Sequence, residues 1–258
     1  MLQGKKALIV GMMGEKSIAY GVAKAMHCQG AELGFSCMAR FKPRLDGLCA
    51  HFDPWLIHAT DLSDDQQIED LAKAVVARVG KIDIIVHSVA YAPKDHLEGD
   101  YLDNLTREGF LQAHDISSYT LAALTKTFLK CINPDGAIIT LSYMGAQRAM
   151  PNYNVMGVAK ASLESQVRYL ALACGKRAVR VNAVSAGPIR TASAAGVKGL
   201  RGMIDQVAKV SPRPQAVTTD EVGQACTFLC SDMASAVTGT VLYVDNGYNI
   251  LGAYTPED

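Results

Sequence analysis

A chain of 258 residues that is 49% hydrophobic has the length and apolar content for one sizeable core, so a single domain spanning 1–258 is expected. Its 25 basic and 25 acidic residues cancel, which removes any global electrostatic case for nucleic acid or an anionic membrane as partner. The seven cysteines (28, 37, 49, 131, 174, 226 and 230) are odd in number and lack CxxC spacing, so they read as reduced thiols used in packing, with no metal site.

The amino terminus passes from Met1-Leu2-Gln3-Gly4-Lys5-Lys6 straight into a short apolar run, too short for a signal peptide. No stretch approaches the ~18 apolar residues of a membrane span, and a soluble cytoplasmic protein is expected. Short aliphatic runs then alternate with segments of helical period, the pattern of βαβ units. Strands are predicted at 6–10, 31–37, 55–60, 82–87, 136–141, 178–184 and 240–244. Between the first two, Ile18, Val22, Ala25 and Met26 repeat at helical spacing and stop near Gly30. Longer helical patterns cover about 106–130 and 153–174, the second with Val155, Ala159, Leu163, Val167 and Leu170 on one stripe. The fold class is therefore α/β: a single-domain, Rossmann-type doubly wound sheet of seven mainly parallel strands with helices on both faces. The segment 191–214 is rich in Ala, Gly and Ser, ends at Pro212-Arg213-Pro214, and reads as a mobile lid.

The first strand ends in a turn with glycines at 11, 14 and 21, which opens into a helix. Backbone N–H groups and the positive helix end would face a pyrophosphate there, although the spacing is not GxGxxG. Asp61-Leu62 after strand three and His87-Ser88-Val89-Ala90 after strand four stand at carboxyl ends of strands, where open α/β sheets bind ligands. Asp61 could accept from an adenine amino group or serve a helix N-terminus. Strand two ends in Cys37-Met38-Ala39-Arg40, without the acid that holds a ribose 2′-hydroxyl. Arg40, Lys42 and Arg44 could take a 2′-phosphate or form a solvated basic loop, so these residues leave the choice between NADH and NADPH open.

The most specific stretch runs from Leu141-Ser142-Tyr143 to Tyr153 and Lys160. Seven residues turn a helix by about 700°, so Tyr153 and Lys160 share a face roughly 10 Å apart along the axis. A tyrosine hydroxyl can stabilise an oxyanion beside a lysine that anchors a cofactor.

With these residues on the page, the chain resembles the NADH-dependent enoyl-acyl-carrier-protein reductases of bacterial type II fatty acid synthesis, within the short-chain dehydrogenase/reductase superfamily. The likeness runs from Gly11 to Gly247. It rests on Gly11, Ser17, Ile18 and Gly21 in the turn, on Tyr153 seven before Lys160, on Tyr143 ten before Tyr153, and on Ile189 and Thr191 after the sixth strand. Ketone-reducing members of the superfamily place the tyrosine four before the lysine, where this chain has Met156. Ala90 stands where glycine is often seen, and Asn246 replaces the first of two glycines after Val244-Asp245.

The resemblance implies reduction of the trans-2 double bond of enoyl-acyl-carrier-protein thioesters, the last reductive step of the elongation cycle, with Tyr143, Tyr153 and Lys160 catalytic. Cofactor contacts are then expected from Gly11, Ser17, Ile18, Met38, Asp61 and Leu62, and from Ser88, Val89, Ala90, Lys160, Ile189 and Thr191. Substrate contacts are expected from Ala92, Tyr143, Tyr153, Met156, Ala194 and Met203. It also implies acyl carrier protein as partner and a homotetramer burying helices 106–130 and 153–174. Lys198, Arg201, Lys209 and Arg213 face one acid, Asp205, in the lid, a rim suited to an acidic carrier or simply to solvent. Two rivals remain: a carbonyl reductase on the same scaffold, disfavoured by Met156, and a silent dinucleotide sensor, which would need none of Tyr143, Tyr153 and Lys160.

Overall fold

The first strand, Lys6–Val10 (β1), is buried along Ala7, Leu8, Ile9 and Val10. Such a run, apolar on both faces, can form only in the middle of a sheet covered from both sides. The computed structural model describes residues 1–191 and 199–252. It places β1 between Glu32–Cys37 (β2) and Ile82–His87 (β4). Leu56–Ala59 (β3), Ile132–Ser142 (β5), Arg180–Ala186 (β6) and Val241–Val244 (β7) complete a seven-stranded sheet of order β3-β2-β1-β4-β5-β6-β7. All of its pairings are parallel.

Helices cover both faces. Ile18–Cys28 (α1), Lys42–Leu48 (α2) and Thr219–Cys230 (α8) carry Val22, Met26, Leu45, Val222 and Cys226 into one apolar layer. Asp65–Val79 (α3), Thr120–Phe128 (α5) and Asn154–Gly175 (α6) carry Leu71, Val75, Leu124, Phe128, Leu163 and Val167 into the other. Arg107–His114 (α4) and Leu200–Val210 (α7) complete the helices used below. Cys226 and Cys230 are buried in the first layer, where desolvation raises both thiols, Cys230 to about 12. Gly21 belongs to packing: a Cβ there would run into the Thr219 carbonyl of α8, and one on Gly223 into the Gly21 carbonyl, so α1 and α8 touch backbone to backbone.

Two elements depart from the periodicity. The pattern expected as one helix over 106–130 is interrupted by a π-helical turn at Asp115–Tyr119 between α4 and α5. The Thr120 hydroxyl donates to Ile116 O (2.7 Å) while Ser117 and Ser118 turn inward, so polar side chains take up the backbone groups that the extra residue displaces. Strand β5 starts four residues before the expected 136, because Ile132 pairs with Ile82 ahead of an irregularity in register. Of the lid, residues 199–210 enter α7, while 192–198, including Ala194 and Lys198, lie outside the described residues.

Candidate active site

Where β1 and β4 separate the two halves of the strand order, their carboxyl ends leave a crevice. A cavity of about 470 Å³ occupies it and extends to the ends of β5 and β6. Gly11 begins its floor at φ +94°, and a Cβ there would enter the Ser88 carbonyl, so this corner admits only glycine. Ser17 closes the turn as the N-cap of α1: its hydroxyl accepts from Tyr20 N (3.2 Å) and donates to Gly14 O (2.6 Å). The first N–H groups of α1 thus open toward the cavity rim.

Strand β5 delivers Tyr143. Its backbone is still extended (φ −149°, ψ 149°), after which a 3₁₀ turn at Met144–Ala146 reverses the chain. The chain returns through Asn152 (φ +60°) and Asn154 (φ +40°), left-handed positions that asparagine tolerates, and these flank Tyr153 at the N-terminus of α6. Gly145 makes room for the return: a Cβ on it would meet Tyr153 Cδ1 at 2.5 Å, and one on Gly157 would meet Gly145 O at 2.8 Å. The two tyrosine rings pack edge to face with centroids 4.9 Å apart. The Tyr143 hydroxyl donates to Met203 Sδ on α7 (3.4 Å). Burial pushes both phenols above their ordinary range, so both carry their protons.

Lys160 is buried on α6, and its Nζ donates to Leu141 O on β5 at 2.7 Å. Desolvation lowers it to about 8, against the charge of Glu164 one turn along, which raises it. Glu164 was not anticipated from the sequence. It is buried, with Oε1 accepting from Ser142 Oγ (2.6 Å) and Oε2 from Gln147 Nε2 (3.1 Å). A signal existed, since Glu164 falls four after Lys160 on the stripe that carries Leu163 and Val167 inward. His87, also not anticipated as more than a strand end, is wholly buried with its ring nitrogens 2.9 Å from Thr140 Oγ1 and Thr120 Oγ1. Desolvation lowers it to about 3, so it is neutral.

Most of the residues expected at the site meet around this one cavity. Gly11, Ser17, Ile18, Ser88, Val89, Ala90, Lys160, Ile189 and Thr191 line it, as do Ala92, Tyr143, Tyr153, Met156 and Met203. Ala92, Met156 and Tyr153 form one apolar cluster with Leu97, giving that end of the cavity a dry wall. Met13, Tyr91, Lys94 and Leu97 also line it, and no sequence signal had singled them out. Three expected residues stand elsewhere. Met38 is exposed at the end of β2, and Leu62 packs into the core layer under α3. Asp61 Oδ1 accepts from Ser63 N (3.0 Å) and Ser63 Oγ (2.7 Å) in a turn ahead of α3, whose N-cap is Asp64.

The basic residues after β2 separate in role. Lys42 pairs with Asp46 (2.8 Å) and Arg40 lies over the Phe41 ring (4.8 Å), whereas the Arg44 guanidinium packs against Gly14, within 3.0 Å of where its Cβ would stand. Of the basic residues expected at the lid rim, Arg213 pairs with Glu221 (3.1 Å), while the rim's one acid, Asp205, pairs with Arg190 outside it (3.1 Å). Asn246 takes a left-handed φ of +56° ahead of Gly247 at +84°, which is why asparagine can stand where a glycine was expected.

The donor set suits a dinucleotide: a helix N-terminus and glycine turn at one end for phosphates, and a buried amine among apolar walls at the other for ribose hydroxyls and a flat ring. Comparison with known proteins agrees. Residues 11–249 match the family described as enoyl-(acyl carrier protein) reductase. The enoyl-[acyl-carrier-protein] reductase [NADH] FabI of Escherichia coli (strain K12) is 46% identical over 250 residues, covering 96% of this chain and 95% of that protein. The enzyme of the same name from Aquifex aeolicus is 45% identical over 260 residues, covering 100% and 96%. The crystal structure of the Aquifex aeolicus VF5 enzyme superposes with a TM-score of 0.95 at 46% identity, covering 98% of this chain and 99% of that one. The Bacillus cereus enoyl-acyl carrier protein reductase, solved with NADP+ and indole naphthyridinone, gives 0.95 at 39% identity, with 98% and 99% covered. With matches of this extent laid over a buried lysine and two tyrosines on one cavity, the chain belongs to the enoyl-acyl-carrier-protein reductase family.

Proposed function

We propose that the protein reduces the trans-2 double bond of enoyl thioesters carried by acyl carrier protein, with NADH as reductant. The observation that carries this reading is the buried Lys160 ammonium with the phenols of Tyr143 and Tyr153 on one largely apolar cavity at the sheet's switch point. The names of its relatives support NADH, while the Bacillus cereus complex with NADP+ keeps the phosphorylated cofactor open.

When bound, the nicotinamide supplies a hydride to the β-carbon of the enoyl thioester. Lys160 would hold the ribose hydroxyls, and the turn from Gly11 to Ile18 would hold the phosphates. Tyr153 would donate its phenolic hydrogen bond to the thioester oxygen as enolate charge gathers there. Its proton is firmly held and its surroundings are dry, so the bond strengthens as that charge develops. Tyr143, held by its contact with Met203, would border the thioester, and Ala92, Met156 and Met203 would line the acyl chain's path.

The reading extends to assembly and setting. Tyr169 and Leu172 on α6 are 73% and 77% exposed, and Leu111 on α4 is 60% exposed, an apolar display that supports burial between subunits of a homotetramer. The seven unpaired cysteines support a reducing cytoplasm. Residues 1–258 are read as one domain, with the segment around α7 as the lid that meets the carrier protein.

The test is direct. Purified protein mixed with NADH and a crotonyl thioester should consume nicotinamide absorbance and yield the saturated thioester. Oxidation of NADH with a ketone but not with the enoyl thioester would replace this reading by that of a carbonyl reductase.

A further inference from the structure

Glu164 is a buried carboxylate that the reaction above does not use. Its two oxygens grip the chain on either side of Tyr143: Ser142 Oγ donates to Oε1 (2.6 Å) and Gln147 Nε2 donates to Oε2 (3.1 Å). One turn earlier on the same helix, Lys160 Nζ grips Leu141 O (2.7 Å). Three successive features of the strand end are thus tied to α6: the Leu141 carbonyl, the Ser142 hydroxyl and the start of the return loop. The loop has little room to relax toward the helix, because even a Cβ on Gly145 would run into the Tyr153 ring and one on Gly157 into the Gly145 carbonyl. We propose that Glu164 is a positioning residue of enoyl reduction: it clamps the segment that presents Tyr143 and serves as counter-charge to the Lys160 ammonium. The proposal rests on the reductase reading given above.

The charged and titratable groups facing this pair come from every element around it. Tyr153 stands on α6 itself, Tyr143 at the end of β5, His87 at the end of β4 and Tyr243 on β7 with Arg148 and Asp245 near it. Arg168, one turn further along α6, donates to the Glu164 carbonyl rather than to its carboxylate (3.1 Å). The three tyrosines are raised above their ordinary range and His87 is lowered to about 3. Burial lowers Lys160 to about 8 against the charge of Glu164, which raises it. Removing the negative charge therefore moves Lys160 further down, and the ammonium is lost at a lower pH.

The experiment compares wild type with E164Q, which keeps the shape and one acceptor but removes the charge. NADH affinity is read by nicotinamide fluorescence across pH, and turnover of a crotonyl thioester is measured alongside. Wild-type affinity should fall as pH rises through about 8. In E164Q that midpoint should move acid by about one pH unit, and turnover at the wild-type optimum should drop about tenfold. S142A keeps the charge and removes one grip, so it should lower turnover and leave the affinity midpoint in place. An unmoved midpoint in a folded E164Q overturns the counter-charge, even if activity is lost, because a merely structural defect lowers activity at all pH values alike. Wild-type turnover in S142A overturns the clamp, and that arm stands even if E164Q fails to fold. Absence of enoyl reduction by the wild type would instead refute the reductase reading, while the NADH midpoints still report on Glu164.

Discussion

The rings of Tyr143 and Tyr153 meet edge to face, centroids 4.9 Å apart and planes inclined by 69°, although the return loop puts them ten positions apart in the chain. The contact sets both hydroxyls on one cavity, but they differ in what holds them. Tyr143 donates to Met203 on a helix from the lid region, whereas Tyr153 is half-buried between the return loop at Gly145 and the apolar cluster around Met156. Tyr153→Phe should therefore lower turnover of an enoyl thioester by about 10²–10³, the cost of one lost oxyanion donor, with NADH affinity nearly unchanged. Turnover at the wild-type level would remove Tyr153 from the chemistry. Tyr143→Phe should cost less, about tenfold, and raise KM for the thioester, since it removes an orienting contact.

Lys160→Ala should weaken NADH binding as well as turnover, because the side chain faces the proposed ribose site from a buried position. It should also abolish the decline of NADH affinity as pH rises through about 8, the point at which the native ammonium loses its proton. A variant that binds NADH as wild type does would refute the anchoring role.

His87 contributes an acid sensitivity to the fold. Its folded value of about 3 lies below the ordinary 6.5, so the unfolded chain binds the extra proton first. The stability this neutral ring supplies is complete above about 6.5 and is lost as pH falls toward 3. His87→Gln should lower stability at neutral pH by about 1–3 kcal/mol, through loss of the buried ring's hydrogen bonds with Thr120 and Thr140. It should also flatten the decline of Tm between pH 6.5 and 4. A decline as steep as that of wild type would assign the acid sensitivity to other groups.

Gly145→Ala tests the close approach of the return loop to the catalytic helix. The new methyl would stand 2.5 Å from Tyr153 Cδ1, so the ring must move. A displacement of about 1 Å in a reacting group can cost on the order of 10²-fold in rate. The expected outcome is a large fall in kcat with only a modest change in Tm. Full activity would mean that the loop yields without moving Tyr153.

Glutamate at Tyr169 and Leu172 together should reduce the particle mass measured by light scattering from that of a tetramer, because two charges would then be desolvated in the proposed interface. A monomer mass already in the wild type would refute the assembly.

The amino-acid sequence by itself determined the layout of strands and helices, since aliphatic runs such as Ala7 to Val10 have no stable home except a sheet covered on both faces. It also determined the pairing of Tyr153 with Lys160, because helical period fixes which residues share a face over seven positions. Periodicity says nothing of what stands across a gap. Whether Met38, Asp61 and Leu62 reach the cavity, and whether Glu164 and His87 sit beside it, depended on how β4, β5 and α6 pack. Helix α6 alone presents Glu164 as one more charge on a stripe. Packed against β5, it brings that carboxylate within 2.6 Å of Ser142 and the Lys160 amine within 2.7 Å of Leu141. The π-turn after His114 was illegible for the same reason. Its extra residue is accommodated by the Thr120 hydroxyl within the turn and by the inward Ser117 and Ser118, whose partners Tyr91 and Ser162 come from distant parts of the chain. Local period dictates faces, whereas burial and charge pairing, which set the state of Lys160, are properties of the packed whole.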